Sequence, residues 1–293
     1  MRKIADSANL TTGFAAGPTA DLYFERRGDG PPLLLITGGG GDAGYYTGLA
    51  GILAAEYTVL SYDRRGNSRS RLHGPPGPVT IAGQSADALA VLAANGFGAA
   101  HVFGNSGGAT IALDLAAYHP EAVRAVIAHE PPVPRVLPDP AEVLAVYDEF
   151  SRLLAAEGWL AAFTFFQTRV GQMPPDRPEV WDYLLRPETV LPPGPDRDLM
   201  TRVSGNWEFM TRYEVRCCID YVPDAGRIAA NGVRIALAHG AQSLGLAEFQ
   251  MGAVLAERLG AEYAEFPGGH TAALEIPGPF AVALRGTLGR LGG

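Results

Sequence analysis

The chain begins as an alternation of short apolar runs and longer amphipathic ones. Residues 20–27 (ADLYFERR) alternate with a period near two, which predicts a strand at a sheet edge with one solvated face. The turn cluster Gly28-Asp29-Gly30-Pro31-Pro32 follows. Residues 33–36 (LLLI) are apolar without interruption, the pattern of a strand buried on both faces of a parallel sheet. That run stops abruptly in Thr37-Gly38-Gly39-Gly40-Gly41-Asp42. The pattern then predicts a helix over 45–56, a strand over 57–63, a helix over 81–95, a strand over 99–103, a helix over 108–118 and a strand over 123–128. Strands alternating with helices in this order predict a doubly wound, mostly parallel α/β sheet.

The rhythm breaks at Glu130-Pro131-Pro132. From 133 to about 232 no apolar strand pattern occurs; proline clusters separate helical stretches rich in aromatics, among them Trp159, Phe163, Trp181 and Trp207. Strand and helix then resume over 233–238, 246–259, 261–266 and 279–291. The expected organisation is an α/β core of residues 1–132 and 226–293, interrupted by a helical cap, or lid, of residues 133–225. No internal repeat is present.

Composition narrows the class. With 47% hydrophobic and 18% charged residues in 293, the chain can build a core and is not a disordered polymer. Its 37 glycines and 23 prolines follow no three-residue period, which excludes collagen. A net charge of −8 argues against nucleic acid as a partner. No apolar run approaches the ~18–20 residues of a membrane-spanning helix, and residues 1–6 (MRKIAD) lead into no apolar signal-peptide segment. A cytoplasmic protein, monomer or homodimer, is expected. The only cysteines, Cys217 and Cys218, are adjacent, which suits neither an ordinary disulfide nor a zinc site.

Candidate chemistry sits in Gly104-Asn105-Ser106-Gly107-Gly108. This G-x-S-x-G lies directly after a predicted strand and opens a predicted helix, the context of a nucleophile elbow, which projects the Ser106 Oγ at the C-terminal edge of the sheet. A base is needed. Of the six histidines, His270 alone falls in a loop after the last predicted strand, where a triad that begins with serine places its base.

These features resemble the α/β-hydrolase fold superfamily over essentially the whole chain. The resemblance is carried by residues 33–42 (LLLITGGGGD), by 63–68 (DRRGNS), by the elbow and by 269–277 (GHTAALEIP). Asp63 is expected to organise its loop, as the corresponding residue usually does in the superfamily. Many members carry the triad acid a few residues after the strand preceding the base. Here that position is Ser243, no Asp occurs between 228 and 270, and the nearest downstream acid is Glu248, on a predicted helix. Glu130, which ends the strand after the elbow helix at the same sheet edge, is the candidate acid. A subset of the superfamily takes its acid from that place, and Glu130 could hold the His270 tautomer and stabilise its imidazolium.

His129-Glu130-Pro131-Pro132 and Pro267-Gly268-Gly269-His270 further resemble the zearalenone lactonases, which cleave the ester of a resorcylic macrolactone with a Ser–His–Glu triad. That resemblance implies backbone oxyanion donors at Gly39 and Gly107. It also implies a substrate-contacting cap tryptophan: Trp207 lies nearest the place, and Trp181 competes for it. A cap this aromatic suits a hydrophobic small-molecule substrate. The function expected is a serine esterase or lactonase without metal or organic cofactor. C–C bond, amide or perhydrolysis chemistry on the same triad, or a small-molecule receptor with this fold, are the alternatives.

Overall fold

A computed structural model describes residues 10–171 and 173–292; the N-terminal stretch weighed above as a signal peptide lies outside them. Nine strands form one sheet: β1 (Thr11–Ala16), β2 (Ala20–Arg27), β3 (Pro32–Ile36), β4 (Thr58–Tyr62), β5 (Arg71–Leu72), β6 (Ala100–Asn105), β7 (Val123–His129), β8 (Arg234–Gly240) and β9 (Glu262–Phe266). Their order is β1-β2-β4-β3-β6-β7-β8-β9, with β5 paired to β2. Pairing is antiparallel from β1 through β4 and parallel from β4 through β9.

The apolar run of β3 has a direct explanation. Successive side chains point to opposite faces, so Leu34 and Ile36 enter one core and Leu33 and Leu35 the other, all fully buried. Helices Ile81–Ala94, Gly107–Tyr118 and Ala247–Leu259 cover the first face with Val91, Ile111 and Leu255. Helices Thr47–Leu53 and Pro277–Arg290 cover the second with Leu49, Leu53, Phe280 and Leu284.

Two expectations are corrected. Residues 20–27 do not form the edge: β1 lies outside them, in register from Thr11 opposite Arg26 to Ala16 opposite Asp21. β1 escaped the sequence pattern because its side chains are mostly exposed, with Phe14 facing solvent and only Ala15 buried. The helix expected over 45–56 is a 3-10 turn, Ala43–Tyr46, followed by the α-helix Thr47–Leu53. Asp42 ends the glycine loop by capping that turn, accepting from the Gly44 N–H at 2.7 Å.

Between β7 and β8 the chain is helical, with Ala141–Glu157, Trp159–Arg169, Pro178–Leu185 and Pro195–Phe209 as its longer helices. This insertion has its own core of Tyr147, Phe150, Phe163, Val203 and Trp207. After Phe209 the helix widens into a π-helical turn, Met210–Glu214, before resuming as Val215–Ile219. No described helix is long and apolar enough to cross a membrane.

At the elbow, a Cβ on Gly104 would lie 2.2 Å from the Gly108 carbonyl oxygen, and one on Gly108 would lie 2.1 Å from that of Ile36. Strand and helix therefore cross at backbone contact. Gly108→Ala is expected to destabilise the protein by about 3 kcal/mol or more, the upper end of ordinary overpacking, because the obstacle is backbone. Gly205→Ala, in the helix Pro195–Phe209 with nothing within 4 Å of its Cβ, is expected to stabilise by about 0.5–1 kcal/mol. Urea unfolding of the two variants measures both.

Candidate active site

The C-terminal ends of β6, β7 and β9 converge on one edge. Ser106 follows β6 and precedes helix Gly107–Tyr118 with φ 55° and ψ −127°, a backbone state that costs a non-glycine residue strain. Its N–H donates to the His129 carbonyl at 2.9 Å, fixing the elbow to β7. Gly38 packs directly on it, since a Cβ there would fall 2.6 Å from the Ser106 Cβ.

Glu130 follows β7, fully buried and also at positive φ, 50°. Its two carboxylate oxygens are divided between two donors. Oε1 accepts from the Gly240 N–H at 2.8 Å, and Oε2 lies 2.5 Å from His270 Nδ1. Burial alone would raise its pKa, yet the His270 hydrogen bond and the neighbouring imidazoles hold it down to about 2. Ser243, where many superfamily members carry the acid, is buried near this carboxylate and adds to the lowering, although its Oγ makes no aligned hydrogen bond.

The His270 side chain remains 40% exposed, open to a reactant on the side away from Glu130. Burial pulls its pKa down, but the hydrogen bond and charge of Glu130 pull harder, with Glu248 adding, and the net shift is upward. Among the described residues no hydrogen bond joins Ser106 Oγ to the ring, an arrangement common before substrate draws the pair together.

Two further histidine contacts were not legible in the sequence. His129 is buried among Phe103, Phe266 and Phe280, and desolvation lowers its pKa to about 4, so it is neutral. Its Nδ1 donates to Asn105 Oδ1 at 2.8 Å, while Asn105 Nδ2 donates to the His270 carbonyl at 3.1 Å. The second residue of the elbow pentapeptide thus ties the His270 loop to β7. A polar residue between the elbow glycine and serine was the available signal.

The other expected residues are placed as follows. Gly39 follows Gly38, which packs on Ser106, and Gly107 follows Ser106; the π-helical turn covers the first and the helix Val215–Ile219 covers the second. A Cβ on Gly39 would meet Met210 Sδ at 2.9 Å, and one on Gly107 would meet Cys218 Sγ at 3.2 Å. Trp207 belongs to the insertion's core: it is 5% exposed, stacks on Phe163 at 5.2 Å and donates to the Leu184 carbonyl at 2.9 Å. Trp181, half-buried, donates to the Pro174 carbonyl at 3.2 Å. Met210 and Cys218 carry no pattern that marks them in sequence. Asp63 accepts from the Ala43 N–H at 2.7 Å and the Arg69 N–H at 2.9 Å, holding together the loops after β3 and β4.

A family model for the alpha/beta hydrolase fold matches residues 31–172. The hydrolase YraK of Bacillus subtilis strain 168, described as uncharacterized, is 34% identical over 267 residues, which span 89% of this chain and 90% of that protein. The chain belongs to the α/β-hydrolase fold family. Among solved structures, an alpha/beta hydrolase from Sphaerobacter thermophilus DSM 20745 aligns with a TM-score of 0.64 at 26% identity, covering 95% of this chain and 99% of that one. The enol-lactonase from Burkholderia xenovorans LB400 gives 0.67 at 20% identity over 94% and 100%, a likeness of fold alone.

The geometry makes the His270 titration a direct probe of its partner. The imidazole is expected to titrate above the ordinary ~6.5 of a histidine, because the adjacent carboxylate stabilises the imidazolium. Glu130→Gln removes that charge and should move the midpoint down, whereas Glu248→Gln should move it much less. NMR of the ring resonances against pH reads all three.

Proposed function

We propose that the protein is a serine hydrolase that cleaves a carboxylic ester or lactone through an acyl-enzyme. The single observation that carries this reading is the 2.5 Å contact between the buried Glu130 carboxylate and His270 Nδ1, beside a serine held in an elbow. With Nδ1 donating to Glu130, Nε2 carries the lone pair and can act as base.

In this scheme Ser106 Oγ attacks the carbonyl carbon while His270 Nε2 takes its proton. The oxygen that becomes negative is met by the N–H groups of Gly39 and Gly107; preorganised donors of this kind are typically the largest source of rate acceleration. The imidazolium, stabilised by Glu130, returns the proton to the departing alkoxide. Water, deprotonated by the same nitrogen, then attacks the acyl carbon and releases the acid. The nucleophile position holds Ser rather than Asp, which disfavours the ester-forming carboxylate chemistry of epoxide hydrolases and dehalogenases.

Residues 133–225 act as a cap over a core formed by 1–132 and 226–293. Met210 and Cys218 put a thioether and a buried thiol against the two donor glycines. Apolar walls at that point support a hydrophobic, aromatic or polyketide-like substrate, with a zearalenone-type macrolactone as the specific candidate. A screen of aryl esters, macrolactones including zearalenone, amides and C–C hydrolase substrates ranks the bond classes; turnover confined to amides or C–C bonds would overturn the ester assignment.

Fluorophosphonate treatment is expected to add one adduct, absent in Ser106→Ala; an adduct that persists in that variant removes Ser106 from the mechanism. Against an aryl ester, Glu130→Gln should lose roughly 10³–10⁴-fold in kcat, in line with triad acids elsewhere, and Glu248→Gln less than about tenfold. Only neutral His270 is a base, so kcat/KM should fall as pH drops through a midpoint above ~6.5. In Glu130→Gln that acid limb should move to lower pH.

A further inference from the structure

The two proposed oxyanion donors are held in different ways. Gly107 is the first residue of the elbow helix, and its N–H is fixed by the same backbone that places Ser106. Gly39 lies in a run of four glycines, Gly38-Gly39-Gly40-Gly41, with Gly40 and Gly41 at positive φ. Such a segment has little intrinsic preference for one conformation. Within the run the Gly41 N–H reaches the Gly38 carbonyl only at 3.3 Å, a long contact that leaves a stronger donor from outside to fix the direction of the Gly39 N–H.

The Gly38 carbonyl and the Gly39 N–H belong to one planar trans peptide and point in opposite directions. Whatever holds the carbonyl therefore aims the N–H. The Gly38 oxygen accepts from Arg64 Nη2 at 2.8 Å, and the same guanidinium binds Glu214 through both nitrogens, Nη1 to Oε1 and Nη2 to Oε2, each at 2.8 Å. Both side chains are only 3% exposed. Gln84 Oε1 accepts from Nη1 at 2.8 Å, and Asn67 Nδ2 donates to Glu214 Oε1 at 3.0 Å. Glu214 ends the π-helical turn whose first residue, Met210, rests against Gly39. Such turns recur at functional sites.

As a stabilising device this cluster is poor. A buried ion pair roughly breaks even against apolar side chains of the same size, and here Arg64 Nε, Asn67 Oδ1 and Gln84 Nε2 have no partner among the described residues. It does, however, supply a fixed charged donor at the carbonyl of the Gly38–Gly39 peptide. Hydrogen bonding of that carbonyl to a cation also polarises the peptide and strengthens its N–H as a donor. Two other residues of the insertion hold the same loop: Asn206 Nδ2 donates to the Gly40 carbonyl at 2.6 Å, and Arg202 Nε to Asp42 Oδ2 at 2.7 Å.

We infer that the Arg64–Glu214 pair is the positioning device of the oxyanion hole: Glu214 of the insertion holds the Arg64 guanidinium, and Arg64 holds the Gly38 carbonyl so that the Gly39 N–H faces the reacting oxygen. This rests on the reading of Ser106 as nucleophile and Gly39 as donor. The insertion then completes the catalytic machinery as well as covering it. Arg64 and Glu214 touch no substrate; they act through one peptide unit.

The test compares an aryl ester with an aryl trifluoromethyl ketone. The ketone carbon takes Ser106 Oγ, the serine proton passes to His270, and the oxygen left negative occupies the oxyanion hole. Glu214→Gln is expected to lower kcat about 10–100-fold, less than the 10²–10³ for outright loss of a donor. The ketone affinity should fall by a similar factor while KM changes less than about threefold, a split that general loosening of the fold would not produce. Glu214→Asp, which keeps the charge, should restore part of both. A folded Glu214→Gln protein, by near-ultraviolet circular dichroism, with unchanged ketone affinity overturns the inference while the hydrolase reading stands. Should that variant not fold, Gln84→Ala, which loosens the same guanidinium, carries the test with an expected loss of about threefold in ketone affinity, and no loss there overturns it. Wild-type protein whose Ser106 takes no fluorophosphonate overturns both readings together.

Discussion

Two backbones pass each other at the elbow with no room for a single methyl group. The Gly108 Cα faces the carbonyl of Ile36 at the end of β3, and Gly104 faces Gly108 across the turn. This crossing forces Ser106 into its strained conformation, because the chain must reverse within one residue to pass from β6 into the helix. It also places the end of β3, and so the glycine loop that follows it, against the serine. The neighbours that β6 acquires in the sheet do the rest: β3 on one side brings the loop of Gly38 and Gly39, and β7 on the other brings Glu130.

Electrostatics then fits around that geometry. A carboxylate buried as completely as Glu130 would be costly alone, and it is tolerated because a backbone N–H and an imidazole each take one oxygen. This carboxylate and the His270 imidazole come from chain segments 140 residues apart, brought together by the adjacency of β7, β8 and β9. His129, one residue before Glu130, sits in an apolar box and stays neutral, so the imidazole that can carry charge near this carboxylate is the one with an open face. The insertion contributes its own fixed charges, with Glu214 and Arg202 anchored on Arg64 and Asp42 of the core.

Several elements were legible in the chain because their signal is local. The LLLI run named a doubly buried strand, since both faces of β3 are covered and each of its side chains enters a core. The pentapeptide at 104–108 named the elbow, since the crossing tolerates only glycine at its two tight positions. The lack of an acid after β8 directed attention to Glu130, and the structure places that carboxylate near Ser243. β1 was missed because an exposed edge strand has no buried alternation to display. Trp207 packs in the insertion's own core with Phe163 and Met210, contacts the sequence did not show, because aromatic content tells which residues are buried but not against what.

The sequence by itself determined the alternation of the buried core strands and helices, the turn that presents Ser106, the loop that carries His270 and the carboxylate at the end of β7. These follow from periodicity, from steric demands on glycine and from spacing along one chain. Tertiary structure alone decided that Met210 and Cys218 border the glycines beside Ser106, that Asn105 ties the His270 loop to β7, and that Arg64 reaches both Glu214 and the Gly38 carbonyl. The partners Arg64 and Glu214 are 150 positions apart, and the second lies in a helical insertion whose pattern records only that it has an apolar side. A hydrogen bond between buried charges leaves no periodicity in the sequence, because it is a property of where two surfaces meet.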